Sequence, residues 1–188
     1  MKFDSKDLAL AAVYASLYAS INVVQTAMGG PITYGPVQLR LADCLIPLSA
    51  MFGWPAIVGV TMGCLSNVYY MLDPADVIIG PIVNLAAALA VFNLRKQVFF
   101  ACVAGSLIVG VPIGLYLYFL YMQGNPIIRQ QAPDFGVTLP LWAAFVLSLS
   151  ISSLAAIAVI GYALLKTLSK RGISDSLKSH GLKVLKAD

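Results

Sequence analysis

The sequence predicts an all-α integral membrane protein, a bundle of six transmembrane helices with both termini in the cytoplasm. Three observations carry this reading. Of 188 residues, 60% are hydrophobic and only 11% are charged, whereas a soluble domain carries about 25% charged residues; mean hydropathy is +0.86. The apolar residues fall into long blocks separated by Gly- and Pro-rich breaks. Six spans of about 20 residues would use about 120 positions and leave no room for a separate soluble domain.

The first span is expected from Asp7 to Met28, with Asp4 or Ser5 as its N-cap. Gly29, Gly30, Pro31 and Gly35-Pro36 end it and form a loop. From Val37 to Leu72 the chain is apolar but broken at Gly53-Trp54-Pro55, which predicts two short helices joined by a tight turn, Pro55 starting the second. Asp73-Pro74 opens a fourth helix, with Asp as cap and Pro in the first turn, and Arg95-Lys96 closes it. A fifth is expected over Val98–Met122 and a sixth over Leu139–Leu168, with a polar, Pro- and Gly-containing loop at residues 123–138 between them.

Charge sets the orientation. With the N-terminus inside, Lys2, Lys6, Arg95, Lys96, Lys166, Lys170, Arg171, Lys178, Lys183 and Lys186 are all cytoplasmic, ten of the twelve basic residues. The net charge of +4 therefore reads as a topology signal and not as a nucleic-acid surface. Residues 1–168 form the six-span membrane domain and 169–188 a basic cytoplasmic tail, which either lies on the inner leaflet or is partly disordered. The first seven residues are short and mixed in charge, so no cleavable signal is expected.

The composition also excludes several chemistries. There is no Glu, and His180 is the single histidine, so bis-His haem ligation and two-His zinc motifs are excluded within one chain. Cys44, Cys64 and Cys102 lie in apolar runs without C-x-x-C spacing and read as small buried hydrophobes. No phosphate-binding G-x-x-x-x-G-K-[ST] loop, G-x-S-x-G or H-E-x-x-H motif is present, and Ser148, Ser150, Ser152 and Ser153 have no His to activate them. The chain reads as a non-enzyme with no cofactor or metal of its own.

What polar chemistry remains is concentrated in a few places. Arg40 within an apolar stretch costs about 2.5–3.5 kcal/mol at a helix centre unless it is partnered, and Asp43 lies on the same helix face. The pair either pins a helix end or, with Gln38, faces an outward cavity and binds a polar solute; both can hold together. Asn22, Gln25, Asn67, Asp76 and Asn84 supply further amides and carboxylates at membrane depth, which face protein interior or water. For Asp76 the alternative is a favourable helix-dipole position, and for Asn67 and Asn84 simple helix-to-helix ties. Most aromatics, Tyr14 and Tyr18 among them, are expected as interfacial-belt or packing residues, with Tyr34 and Trp142 the ones expected to stack on a flat ring. Ala11, Ala15 and Ala19 make a small-residue strip for close helix packing, either within the chain or against another membrane subunit.

A chain of this length with six spans, an Ala-x-x-x-Ala-x-x-x-Ala strip on its first helix and no ATPase motif resembles the substrate-binding S components of energy-coupling-factor transporters. The stretch Tyr34-Gly35-Pro36-Val37-Gln38-Leu39-Arg40-Leu41-Ala42-Asp43 resembles the G-x-[VI]-Q-x-R-x-x-[ED] signature of queuosine-precursor (QueT-type) transporters, with Asp43 where that family often carries Glu. The resemblance implies capture of a deazapurine base at the cell membrane by Tyr34, Gln38, Arg40, Asp43, Asn67, Asp76, Asn84 and Trp142. It also implies docking through Ala11, Ala15 and Ala19 to a T subunit, and ATP use by two partner ATPases. S components for other flat vitamins, such as a pteridine or thiamine, and a membrane scaffold without a small ligand are the alternatives.

Overall fold

Asp4 begins the first helix as its sequence position suggests. Its carboxylate accepts the Ser5 N–H at 2.7 Å, and Asp7 three residues on accepts the Asp4 N–H at 3.1 Å, so the two acids cap the open helix end reciprocally. The computed structural model describes residues 4–29, 39–69, 73–130 and 139–185, and all regular structure among them is helical. Tyr34 and Gln38 lie outside the described residues.

Helix α1 spans Ser5–Gly29. Helix α2, Leu41–Phe52, starts as a 3-10 helix over Leu41–Leu48, where Pro47 removes a backbone donor, and ends as α-helix. Gly53, at φ +64°, makes the turn into α3, Trp54–Gly63, which continues as a 3-10 helix over Cys64–Tyr69. Asp73 accepts the Ala75 N–H at 2.9 Å and leads into α4, Asp76–Asn93. Helix α5 covers Val98–Met122 and α6 Pro126–Gln130. Helix α7, Leu141–Leu168, is π-helical over Leu154–Gly161, with α-helix on either side. Helix α8 covers Arg171–Ser179.

Among the described residues, four helices are long and apolar enough to cross a membrane: Ser5–Met28, Asp76–Asn93, Arg95–Met122 and Leu141–Leu168. Leu41–Phe52 and Trp54–Val68 are shorter apolar helices. The break expected at Gly53 is therefore real, but it separates two pieces each below the usual length of a full span.

Small residues let the helices touch backbone to backbone. A methyl group on Gly59 would fall 2.3 Å from Tyr14 Cβ, and one on Gly63 2.6 Å from Tyr18 Cβ and 2.8 Å from the Ala15 carbonyl, so α3 lies directly on α1. Gly110 and Gly114 of α5 meet Ser150 and Val146 of α7 in the same way. This packing settles part of the question about the alanine strip: Ala11 is buried against α3, whereas Ala15 and Ala19 keep partial exposure. The outward faces carry Leu8, Val13, Ile82, Phe119, Ile151 and Val159, an apolar exterior suited to lipid.

The tail is ordered by contacts through residue 185. After α8, the Lys183 ammonium reaches Asp7 at 2.5 Å, Lys6 donates to the His180 carbonyl at 3.3 Å, and the Leu185 N–H donates to the Met51 carbonyl at 2.8 Å. The segment thus folds back beneath α1 and the α2–α3 turn.

Candidate functional site

Four segments bring their polar side chains to one place because each carries one or two such groups on its buried face. On α1, Tyr14, Tyr18, Asn22 and Thr26 recur every four residues and all are buried, forming a polar-edged stripe. On α2, Arg40 stands at the N-cap in an extended conformation and Asp43 one turn later, 9% and 2% exposed. The 3-10 extension of α3 supplies Cys64, Ser66 and Asn67, and α4 supplies Asn84.

Gln25 fixes the backbone around Arg40. Its amide nitrogen donates to the Leu39 carbonyl and its oxygen accepts the Leu41 N–H at 2.8 Å. The peptide on either side of Arg40 is thereby tied to α1 where no helix bonds could satisfy it.

The Tyr18 hydroxyl is the hub. It donates to Asp43 Oδ1 at 2.6 Å and accepts from Arg40 Nη2 at 3.1 Å and Asn84 Nδ2 at 2.8 Å. One donor and two lone pairs are the whole capacity of a phenol, and all three are used. Arg40 Nε lies 3.9 Å from Asp43 Oδ2, an ion pair, and Arg40 Nη2 also donates to Cys64 Sγ at 3.3 Å. Asn67 Nδ2 reaches the same sulfur at 3.5 Å, and Asn22 Nδ2 donates to Asn67 Oδ1 at 2.9 Å and to Ser66 Oγ at 3.2 Å. A continuous network therefore runs from Asn84 through Tyr18, Asp43 and Arg40 to Cys64, Asn67 and Asn22.

Not every atom of it is satisfied. Among the described residues Asn22 Oδ1 is buried without a hydrogen-bond partner, as is the Tyr116 hydroxyl on α5. A buried acceptor left unpaired costs about 1–3 kcal/mol, which makes it a place where a donor from outside the chain is favoured. Asp76, half-buried at the start of α4, interacts electrostatically with both Arg40 and Tyr116.

Arg40 and Asp43 also border a small void with Val109 and Ile113 of α5 and Leu149, Ser152, Ser153 and Ala156 of α7. Its volume of about 10 Å³ is room for about one water molecule. Ser152 and Ser153 give the void a polar wall.

Of the residues expected at the site, Arg40, Asp43, Asn67 and Asn84 converge, and Asp76 stands close enough to feel Arg40. Trp142 stands apart from them: it is 49% exposed on the first turn of α7 and, among the described residues, takes no part in the network. Tyr18, expected as a belt or packing residue, is fully buried and takes a place at the centre of the network. The four-residue spacing of Tyr14, Tyr18, Asn22 and Thr26 was the signal for it.

The profile of a family described as QueT transporter matches residues 8–170. A queuosine precursor transporter QueT from Lactococcus lactis subsp. cremoris (strain MG1363) is 28% identical over 102 residues, which cover 53% of this chain and 59% of that protein's length. No solved structure matches significantly.

Proposed function

The chain belongs to the QueT transporter family, and from this premise we propose that it is the substrate-binding S component of an energy-coupling-factor importer for a queuosine precursor, a deazapurine base. The observation that carries the reading is the buried network centred on Tyr18 and Asp43, which reaches an unpaired acceptor at Asn22 and borders a polar-walled void.

The chemistry suits a flat, nitrogen-rich guest. A guanine-like edge presents adjacent N–H donors, which the carboxylate of Asp43 or Asp76 accepts together. Asn22 Oδ1 takes a third donor, and the amides of Asn67 and Asn84 serve the carbonyl and ring nitrogens. Arg40 orients Asp43 through their ion pair, Nε to Oδ2 at 3.9 Å. Gln38 and Tyr34, just before Arg40 in the chain, complete the site from the neighbouring segment. A purine is far larger than the void, so its entry requires α2 to part from α5 and α7. Buried groups left unpaired by a poorer guest supply the selectivity.

In this reading the chain crosses the cell membrane six times, α2 and α3 counting as two spans, with both termini cytoplasmic. Residues 1–168 are the membrane domain and 169–188 the cytoplasmic tail. The partly exposed Ala15 and Ala19 dock a T subunit, and two partner ATPases use the ATP. A thermal-shift screen of the purified protein tests the substrate. Stabilisation by a deazapurine, and not by pteridines or thiamine, is expected; stabilisation by one of the latter alone, or by none, would overturn it.

A further inference from the structure

We propose that the groove between the start of α5 and the end of α7 is a binding site for a phospholipid with a negatively charged headgroup. The groove has a volume of about 520 Å³ and is lined by Gln97, Val98, Phe99, Phe100, Tyr162, Leu165, Lys166 and Ser169. It lies apart from the Tyr18 network and does not depend on the substrate assignment.

Its lining is of two chemistries. Phe99 and Tyr162 meet edge to face at 5.8 Å between ring centroids, joining α5 to α7, and Phe100, their neighbour in the lining, is 66% exposed. With Val98 and Leu165 these rings make apolar surface of the kind an acyl chain covers. The remaining lining residues, Gln97, Lys166 and Ser169, are hydrogen-bonding and cationic.

Depth in the membrane fits the same division. The apolar runs Arg95–Met122 and Leu141–Leu168 are 28 residues each. At about 1.5 Å per residue they extend about 42 Å, against about 30 Å of hydrocarbon, so their ends reach the headgroup layer. Gln97 and Ser169 sit at those ends.

Charge complementarity identifies the headgroup. Lys96 precedes Gln97, and Lys170 and Arg171 follow Ser169 in the chain. Among the described residues Lys166 makes no ion pair; its ammonium stands 5.9 Å from the centroid of the Tyr162 ring. No acidic residue occurs at positions 77–133 or 135–174, so neither strand of sequence that builds the groove carries a carboxylate. A cation held over an aromatic wall without an internal anion, at headgroup depth, is the chemistry that receives a lipid phosphate.

The test is native mass spectrometry of the full chain released from nanodiscs of equal phosphatidylglycerol and phosphatidylcholine. Wild type should retain phosphatidylglycerol in preference by about fivefold, the worth of one near-surface cation. Lys166→Met keeps the aliphatic stem and should bring retention to parity, whereas Lys178→Met on α8 should leave it unchanged. Equal retention of both lipids by wild type would overturn the proposal. So would an equal loss in both variants, which means diffuse attraction, or displacement of the lipid by soluble glycerol phosphate, which means a free-phosphate site. A co-purifying protein whose release alone responds to Lys166→Met would assign the groove to that protein instead.

Discussion

The Tyr18 hydroxyl donates to Asp43 Oδ1 at 2.6 Å, and through that one bond α1 holds the only carboxylate that α2 places inside the bundle. Tyr18 has no other donor to give, so the direction of the network is fixed: protons point toward Asp43, and Arg40 and Asn84 point toward Tyr18. The arrangement makes Asp43 the terminal acceptor of the site.

Tyr18→Phe removes the hub without changing the ring. Asp43 Oδ1 and Asn84 Nδ2 each lose their described partner in a buried place. Thermal unfolding of the purified protein should show a loss of about 1–3 kcal/mol. Deazapurine affinity, read by titration, should fall about tenfold as Asp43 is released.

Asp43→Asn preserves shape and removes the charge that Arg40 answers. The protein should still purify as a folded species, and deazapurine binding should weaken by more than about tenfold, the loss of one charged hydrogen bond. Arg40→Ala is the harsher change, since it leaves the buried carboxylate with the Tyr18 hydroxyl but no cation and should cost about 3–5 kcal/mol in stability. Unaltered affinity in Asp43→Asn would remove the site assignment.

Gly63→Ala and Gly172→Ala should part company. At Gly63 the added carbon would meet Tyr18 Cβ at 2.6 Å and the Ala15 carbonyl at 2.8 Å, so α1 and α3 must separate, at about 1–3 kcal/mol. At Gly172 nothing lies within 4 Å, and the exposed helix gains about 0.5–1 kcal/mol in local stability. The first should lower Tm; the second should slow amide exchange in α8 without lowering it.

Lys183→Ala should loosen the tail more than it weakens the fold. The Lys183 side chain is 45% exposed, which limits its ion pair with Asp7 to about 0.2–1 kcal/mol. Hydrogen exchange at the Leu185 amide, bonded to the Met51 carbonyl, should accelerate while Tm stays nearly constant. Asp7→Ala should lower Tm further, because it also removes the acceptor of the Asp4 N–H at the start of α1.

Punctuation residues made the helix boundaries legible. Gly53 turns the chain at φ +64°, Asp73 caps the approach to α4, and α5 occupies Val98–Met122 as the apolar block suggests. The faces were harder to read. In lipid an outward Leu and an inward Leu obey the same preference, so composition could not tell that Tyr18 turns in and Trp142 turns out. Polar residues carried what information there was: Arg40 and Asp43 announced a pair, and Asn67 and Asn84 found partners in it. The non-α pitch of Leu41–Leu48 and Leu154–Gly161 depends on what each segment packs against and left no mark in the local sequence beyond Pro47.

The π-helical stretch Leu154–Gly161 carries Ala156 at the void and ends at Gly161, where a side chain would strike Pro47 of α2. Its amides bond five residues back, and the neighbouring carbonyl four residues back is always within a short slide. The change of pitch thus falls where α7 passes from its close seat on α5, at Val146 and Ser150, to its close seat on α2, at Gly161 against Pro47.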